Sequence, residues 1–585
     1  MSRFDFQQHN TDETMNESTG ADGYPRAFVK SLTFNDGTVI DLNPDDIVVI
    51  VGPNNMGKSA TLREIEQKVA FPQTETIVLK ELKIDRIGSP TGLSKWLERT
   101  CRTQIDRNRP LNPTFVRMGQ SIVHSQATNF WDQASEGLRN LTPFFFYRLT
   151  TEARLSAAKP APNIRLTTDA LSHPIHYMQF DDSVELRISN LFQQAFGQDL
   201  IVHRNAGNEV PLHCGVRPSV DPGEDRVSVN YLRKLEELPT LDSQGDGMKA
   251  FVGILLHAFL VEHSCVLIDE PEAFLHPPQA RLLARFLVEQ ELASRQIFLA
   301  THSGDILRGI LDAGSKRVRV IRIQREGDKN VVAQLQQSEI EQLWNDPLLR
   351  YSNVLDGIFH HQVVACESDG DCRFYSAIRD AMVEKGELLN SDVMFVNSGG
   401  KDRLPTLVNA LRRLNVKVAV IADFDSLNSD LIGKIHQSLG GDWESAKGDW
   451  RITKAAIEQK RPELQAAELK ERIGEVLESV TDQYFPRDAV KEISGLLRKS
   501  TAWSTAKDQG MSFVPSGDAT KACQRLMEKL KSSQLHVVQV GELEGWCRSV
   551  GGHGPAWVIA VIEKNLATDP ELEGARSFVK AIFRK

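Results

Sequence analysis

At 585 residues the chain is too long for a single hydrophobic core, so two or more domains are expected. Its 41% hydrophobic and 25% charged residues are the make-up of an ordinary folded protein. A formal net charge of -9 excludes a surface that is basic all over, but not a local basic groove, because the field a nucleic acid meets is local.

The seven cysteines (Cys101, Cys214, Cys265, Cys366, Cys372, Cys523, Cys547) are scattered and none is spaced C-x-x-C. This excludes a disulfide framework and a zinc site and suits a reducing cytoplasm. The polar start, MSRFDFQQHNTDETMNESTG, has no signal-peptide core. Spanning a bilayer takes roughly 20 apolar residues. The best run, Ala250 to Val261, is shorter and is interrupted by His257, so it reads as a buried helix. A cytoplasmic protein with no membrane partner is expected.

Residues 1–24 lack periodicity and read as a disordered tail. Asn35-Asp36-Gly37 between alternating apolar residues is a hairpin signal, and the all-aliphatic Ile47 to Val51 is a strand buried on both faces. Mixed, Pro-broken sequence from about 71 to 239 reads as a long helical insertion. Cys265 to Ile268 and Gln296 to Ala300 return the chain to the sheet, and Val318 to Gln324 with Val331 to Gln336 form a closing hairpin. From Gln362 onward, strand and helix alternate through Val416 to Ala422, which implies a parallel sheet. A largely helical stretch at about 428–533 interrupts this unit before a late strand, Leu535 to Val540.

Gly52-Pro53-Asn54-Asn55-Met56-Gly57-Lys58-Ser59 matches G-x-x-x-x-G-K-S between a buried strand and a helix, the context a P-loop requires. Backbone N–H groups of Gly52, Asn54, Asn55 and Gly57 cradle phosphates, Lys58 reaches the β/γ oxygens and Ser59 ligates Mg²⁺. In Val266-Leu267-Ile268-Asp269-Glu270 four apolar residues deliver two acids: Asp269 for Mg²⁺ and Glu270 to polarise the attacking water. Ser243, Gly245 and Gly247 precede a long apolar helix, a seat for a γ-phosphate, and His302 in Thr301-His302-Ser303 ends a further strand as its sensor.

A second set of acids follows. Glu367 ends the strand Val363 to Cys366, with Asp371 four residues on, which a helix would set on one side. Asp423 and Asp425 end the strand Val416 to Ala422, and alternation along extended chain would set both on one face. Parallel strands end on one edge of their sheet, so the four acids converge there as oxygen ligands for Mg²⁺ or Mn²⁺. Solvated strand-end acids are the plain explanation of any one of them; two pairs, each directly after an apolar strand, are harder to explain so. Arg403, Arg412, Arg413 and Lys417 are either phosphate contacts or a solvated helix face.

The order of P-loop, S-x-G-x-G, IDEPE and THS resembles the ABC-type ATPase heads of SMC and RecF proteins, and Glu270 to Pro277 resembles the OLD (overcoming lysogenization defect) version. The acid pairs, Gly399-Gly400-Lys401 and Gly541-Glu542-Leu543-Glu544 resemble the Toprim domain of OLD nucleases, with Ser368 where that motif has glycine. The resemblance implies an α/β protein: a tail to residue 24, an ABC-type P-loop ATPase domain at 25–345 and a Toprim domain at 346–585, each with a helical insertion. It implies a homodimer or higher homo-oligomer in which the serine–glycine signature of one copy closes over ATP on another. It adds Glu544 as a metal ligand, offers Lys401 or Lys564 as the family's catalytic lysine, and marks Ala556 where a basic residue is expected.

The function so implied is an ATP-dependent or ATP-regulated, divalent-metal-dependent DNA endonuclease. The likeness extends to antiphage effectors of the Gabija and retron kinds; in the latter the partners are a reverse transcriptase and its RNA–DNA product. Two other readings stand beside it. One is a non-nuclease, ATP-gated DNA clamp or repair ATPase; the other is a topoisomerase-like enzyme using Tyr375 or Tyr484.

Overall fold

The computed structural model describes residues 24–106, 112–133, 136–289, 295–335, 353–460, 466–481, 484–499 and 501–583, so the tail expected at 1–24 lies, except for Tyr24, outside the described residues. The chain divides into two compact units, Met1–Glu341 and Gln342–Lys585.

The first unit is built on a six-stranded sheet. Ile47–Val51, buried at every position, lies between Gln296–Ala300 and Val318–Glu326, parallel to both. Its aliphatic run is what a strand covered on both faces requires. Cys265–Asp269 follows Gln296–Ala300, and Phe146–Leu149 closes that edge, both parallel. At the other edge Lys329–Leu335 pairs antiparallel with Val318–Glu326, the expected hairpin. A second, antiparallel sheet joins Val39–Asp41, Arg26–Phe34 and Leu79–Ile87. The two sheets and the helix Lys58–Ala70 share one apolar core that includes Val48, Ile50, Leu62, Ile65 and Phe298.

The stretch at 71–239 is therefore not one insertion. Leu79–Ile87 belongs to the antiparallel sheet and Phe146–Leu149 to the central one. The latter is four residues long and carries Tyr147 and Arg148 partly exposed, so its alternation is too short to stand out from loop sequence. The segments between and after these strands leave the two sheets, and carry the small sheets of Arg102–Gln104, Thr114–Arg117 and Gln120–Val123, of Asp199–Val202 and Leu212–Gly215, and of Ala161–Pro162 and Glu209–Val210.

The second unit holds a four-stranded, wholly parallel sheet in the order Val393–Asn397, Gln362–Cys366, Lys417–Ala422, Leu535–Val537. Helices Asp369–Glu384 and Leu404–Arg413 make its crossovers. Among the described residues six α-helices run between the last two strands, from Leu431–Ser438 to Asp518–Ser532. The apolar faces of Trp443–Glu458 and Asp518–Ser532 pack together, and the Asp449 carboxylate accepts from Arg525 and Lys529 across them. Both units are mixed α/β. No helix among the described residues is long and apolar enough to cross a membrane.

Candidate functional sites

In the first unit the loop after Ile47–Val51 is shaped by close approach. A Cβ at Gly52 (φ 141°) would lie 2.1 Å from the Ile323 carbonyl oxygen, so only glycine fits. Gly57 (φ 100°) precedes the helix Lys58–Ala70, and Asn55 takes a left-handed φ of 62° at the exposed crest beside Asn54. Asn330, from the closing hairpin, donates to the Met56 carbonyl at 2.7 Å and ties the loop down. The buried Lys58 Nζ donates to the carbonyls of Gly52 (2.8 Å) and Pro53 (2.9 Å), which folds it back over the loop. Ser59 Oγ donates to Asp269 Oδ1 at 2.8 Å, so the two expected Mg²⁺ ligands do meet. Burial pushes the Asp269 carboxyl upward, Ser59 counters this, and Glu270 adds to it.

Glu270 is exposed and left-handed (φ 45°). His302 Nδ1 lies 3.6 Å from its carboxylate and 3.2 Å from that of Glu272. Glu272 and Arg154 were not singled out from the sequence. Glu272 Oε1 accepts from Thr301 Oγ1 and from the His302 N–H, both at 2.9 Å, and so fixes the loop that carries His302. Arg154, fully buried, donates to the Glu270 carbonyl at 2.8 Å. The same residue's backbone meets Gly253 of the helix Asp246–Leu255, where a Cβ would lie 2.2 Å from the Arg154 oxygen. Arg154 thus joins the strand end to the helix that follows the signature. Ser243, Gly245 and Asp246 are exposed, with Gly245 at the N-cap of that helix.

In the second unit Glu367, Asp423 and Asp425 bring ligand oxygens within 4.8 Å of one another. Two expectations about how they do so are corrected. Asp423 and Asp425 do not alternate on extended chain: Asp423 is the N-cap of a 3-10 turn, Phe424–Asn428, in which Asp425 lies. Nor do Glu367 and Asp371 share a helix face, because the helix begins only at Asp369. Asp371 instead closes a capping box: its Oδ2 accepts from the Ser368 N–H at 2.9 Å while Ser368 Oγ accepts from the Asp371 N–H at 3.3 Å. Ser368, the departure from the family glycine, is thereby explained as a helix cap. Asp371 stays close enough to push the Asp423 carboxyl upward.

Glu367 Oε1 accepts from the Asp423 N–H (3.2 Å) and Ser426 Oγ (3.1 Å). Burial, with Asp425 beside it, pushes the Glu367 carboxyl upward; burial, then Glu367 and Asp371, push Asp423 well above the carboxylate range. Asp425 Oδ1 is buried with no hydrogen-bond partner. A group of hard oxygens, mutually repelling, with one orphaned acceptor, has the donor chemistry that Mg²⁺ or Mn²⁺ takes.

Glu544 does not join this group. It forms a second one with Glu542 and His553, ligand atoms again within 4.8 Å. Its Oε1 also accepts from the Gly554 N–H at 2.8 Å. Glu542 lay inside the quoted Gly541–Glu544 segment but was not chosen. Of the two lysines considered, Lys401 Nζ reaches Asp425 Oδ2 at 2.8 Å, whereas Lys564 is held by Asp569 (2.9 Å) and Cys547 Sγ (3.3 Å). Tyr375 is buried with its hydroxyl accepting from Trp546 Nε1 at 3.1 Å, which leaves no exposed nucleophile there, and Tyr484 is 81% exposed within the helical stretch. Arg412 donates to the Ser438 carbonyl at 2.8 Å, a structural role.

Residues 173–308 match the family model described as AAA domain, putative AbiEii toxin, Type IV TA system. The Old nuclease of Escherichia phage P2 is 22% identical over 183 residues, 30% of each chain. These matches fit an OLD-family ATPase. The chain spans about a third of the length of that nuclease. It is also 29% identical over 99 residues to an uncharacterized protein of Methanocaldococcus jannaschii, MJECL11, covering 86% of that protein and 16% of this chain. Solved structures with likeness to it include an SMC head bound to the C-winged helix domain of ScpA and the SMC head domain from Thermotoga maritima. The first has a TM-score of 0.33 at 12% identity and covers 54% of this chain and 99% of that one. The second has 0.28 at 12%, covering 54% and 100%.

Proposed function

We propose that the protein is an ATP-dependent or ATP-regulated, divalent-metal-dependent DNA endonuclease of the OLD type, its second unit a Toprim domain. The single observation that carries the nuclease reading is the Glu367–Asp423–Asp425 group, gathered at one edge of a parallel sheet with a buried, partnerless oxygen on Asp425. Glu367, Asp423 and Asp425 would hold one Mg²⁺ or Mn²⁺, and Glu542, Glu544 and His553 a second, with Asp371 steadying the first from its capping box. Bound there, the ions supply Lewis-acid charge and an acidified water for phosphodiester hydrolysis. The protein's part is to gather carboxylates whose burial and mutual repulsion favour the protonated form, so that a divalent cation is what ionises them, and to exclude bulk water from Asp423.

At the first site Lys58 would swing from the Gly52 and Pro53 carbonyls to the β/γ-phosphates, while Ser59 and Asp269 hold Mg²⁺. Glu270 orients the attacking water and His302, steadied by Glu272, meets the γ-phosphate. The exposed Ser243 and Gly245, with the half-buried Gly247 behind them, fit closure onto ATP held by a second copy, hence a homodimer or higher homo-oligomer. Bacterial antiphage defence is the proposed setting, with a retron reverse transcriptase and its RNA–DNA product as one possible pair of partners.

The deciding experiment is cleavage of supercoiled plasmid with Mg²⁺ or Mn²⁺. Wild type is expected to nick, and Asp423→Ala and Asp425→Ala to lose nicking while keeping ATP binding; undiminished nicking by either variant overturns the metal-site assignment. Lys58→Ala is expected to abolish nucleotide binding. ATP-gated DNA binding without any metal-dependent cutting would favour the DNA-clamp reading instead.

A further inference from the structure

The helical stretch between the last two strands of the second unit sends one cation into the acidic edge. Lys507, in the helix Ala502–Gln509, places Nζ 3.3 Å from Glu542 Oε2 and 3.9 Å from Asp423 Oδ2. It thus stands between the two acidic groups and touches one member of each. Lys401 pairs with Asp425 and acts on Glu367, both of the first group, and Ala556, at the position where the family resemblance asks for a basic residue, is exposed and carries no charge.

The placement of Lys507 is enforced by backbone contact. A Cβ at Gly541 (φ 111°) would lie 1.9 Å from the Lys507 carbonyl oxygen, and one at Gly510 (φ 61°) would lie 2.1 Å from that of Gln539. The Met511 N–H donates to the Gln539 carbonyl at 2.8 Å, and Arg548 Nη2 donates to the Asp508 carbonyl at 3.1 Å. The Gly541 carbonyl in turn accepts from the Phe424 N–H at 2.8 Å, next to Asp423. Segments 507–511, 539–541 and 423–424 are therefore one clasp, and Lys507 rides on it.

From this geometry we infer that Lys507 is the cation that binds a non-bridging oxygen of the scissile phosphodiester, supplied by the helical stretch rather than by the sheet. The inference rests on the nuclease reading. Charge balance argues for it. Among the described residues, six carboxylates (Glu367, Asp371, Asp423, Asp425, Glu542, Glu544), with Asp508 adding to the charge at Glu542, face two ammonium groups, Lys401 and Lys507. Two divalent cations, held by the two acidic groups, would offset most of that charge and draw the carboxylate oxygens, which would leave Lys507 N–H donors free at the boundary of the two groups. A phosphodiester clamped by two such ions would carry its non-bridging oxygens toward that boundary. An anion is then the partner that satisfies the ammonium, and the substrate brings one.

The test compares wild type with Lys507→Met, Lys507→Arg and the exposed Lys521→Met as a charge control, in plasmid nicking and in Mn²⁺ binding followed by electron paramagnetic resonance. Loss of one preorganised transition-state donor costs about 100- to 1,000-fold in kcat, which is the drop expected for Lys507→Met. Lys507→Arg is expected to recover part of it and Lys521→Met to match wild type. Mn²⁺ affinity is expected to be unchanged or tighter in Lys507→Met, since a competing cation has gone. A kcat for Lys507→Met within threefold of wild type, or a loss fully restored by saturating Mn²⁺, overturns the role. If Lys507→Met does not fold, a Lys507→Arg enzyme with no kcat change on substrate and a tenfold loss of Mn²⁺ affinity overturns it as well. A wild type that cleaves no phosphodiester overturns both this and the nuclease reading, whereas a wild type that cleaves no faster than Lys507→Met overturns the lysine alone.

Discussion

Replacing Asp423 with asparagine should stabilise the metal-free protein and abolish its response to divalent cations. Asp423 shares its group with Glu367 and Asp425, ligand oxygens within 4.8 Å. At an effective dielectric of ~20 each such repulsion is about 3 kcal/mol. The opposing attraction, to Lys507 Nζ at 3.9 Å, is about 4 kcal/mol on the same basis. Removing the charge therefore yields a net gain of at least about 2 kcal/mol, to which relief from Asp371 adds, or roughly 4–8 °C or more in the melting of a unit this size. The sign follows from the titration. A carboxyl raised on folding destabilises the native state above its unfolded pKa, so metal-free wild type loses stability as pH climbs out of the carboxylate range, and the asparagine variant loses less. The assay is calorimetry of the full chain at mildly alkaline pH, with chelator and then with Mn²⁺. A variant that melts lower than wild type in chelator, or that gains as much from Mn²⁺, would refute the reasoning.

Because burial raises Asp423, Glu367 and Asp371, Mn²⁺ must displace protons, so its affinity should fall as pH drops through their raised titrations, with proton release on binding. Calorimetric titration in buffers of different ionisation enthalpy checks this; a pH-independent affinity would count against it. Ser368→Ala takes away the acceptor of the Asp371 N–H while its own N–H still reaches Asp371 Oδ2, and should cost about 1 kcal/mol in a denaturant melt, with Ser368→Gly costing less. Glu272→Ala leaves Thr301 Oγ1 and the His302 N–H without their acceptor, at about 1–3 kcal/mol, and should lower ATP turnover more than ATP binding. Gly52→Ala sets a Cβ against the Ile323 carbonyl and should abolish binding of a fluorescent ATP analogue; full affinity would show that the loop has another way to close.

The P-loop, the Asp269 strand and the succession of parallel strands after Gln362 were legible because each rests on local pattern: aliphatic runs, a glycine loop, acids directly after a strand. What was not legible depended on partners distant in sequence. Phe146–Leu149 is an edge strand only because Cys265–Asp269 lies beside it. Arg154 and Glu272 gain meaning only from the loops they hold. In the acidic edge three of the expected carboxylates do lie together, but by a different geometry from the one expected. Glu367, Asp423 and Asp425 meet through a capped turn rather than an extended strand, and Glu544 falls in a separate group. Lys507 was out of reach altogether, because a lysine in a charged helix carries no mark until Gly541 and Gly510 show what that helix is pressed against.

The Gly541–Lys507 clasp also bears on how the protein opens. Two backbone segments some thirty residues apart, one from the helical stretch and one beyond the last strand, touch with no side chain between them. Neither can loosen without releasing the other, and the Phe424 N–H goes with them. The amides of Met511, Gly541 and Phe424 should consequently exchange with solvent at a common rate, as members of one cooperative opening unit rather than as loops fraying independently. A helical stretch so fastened is a keystone of the acidic edge, and cutting it out should collapse that edge instead of merely trimming the surface.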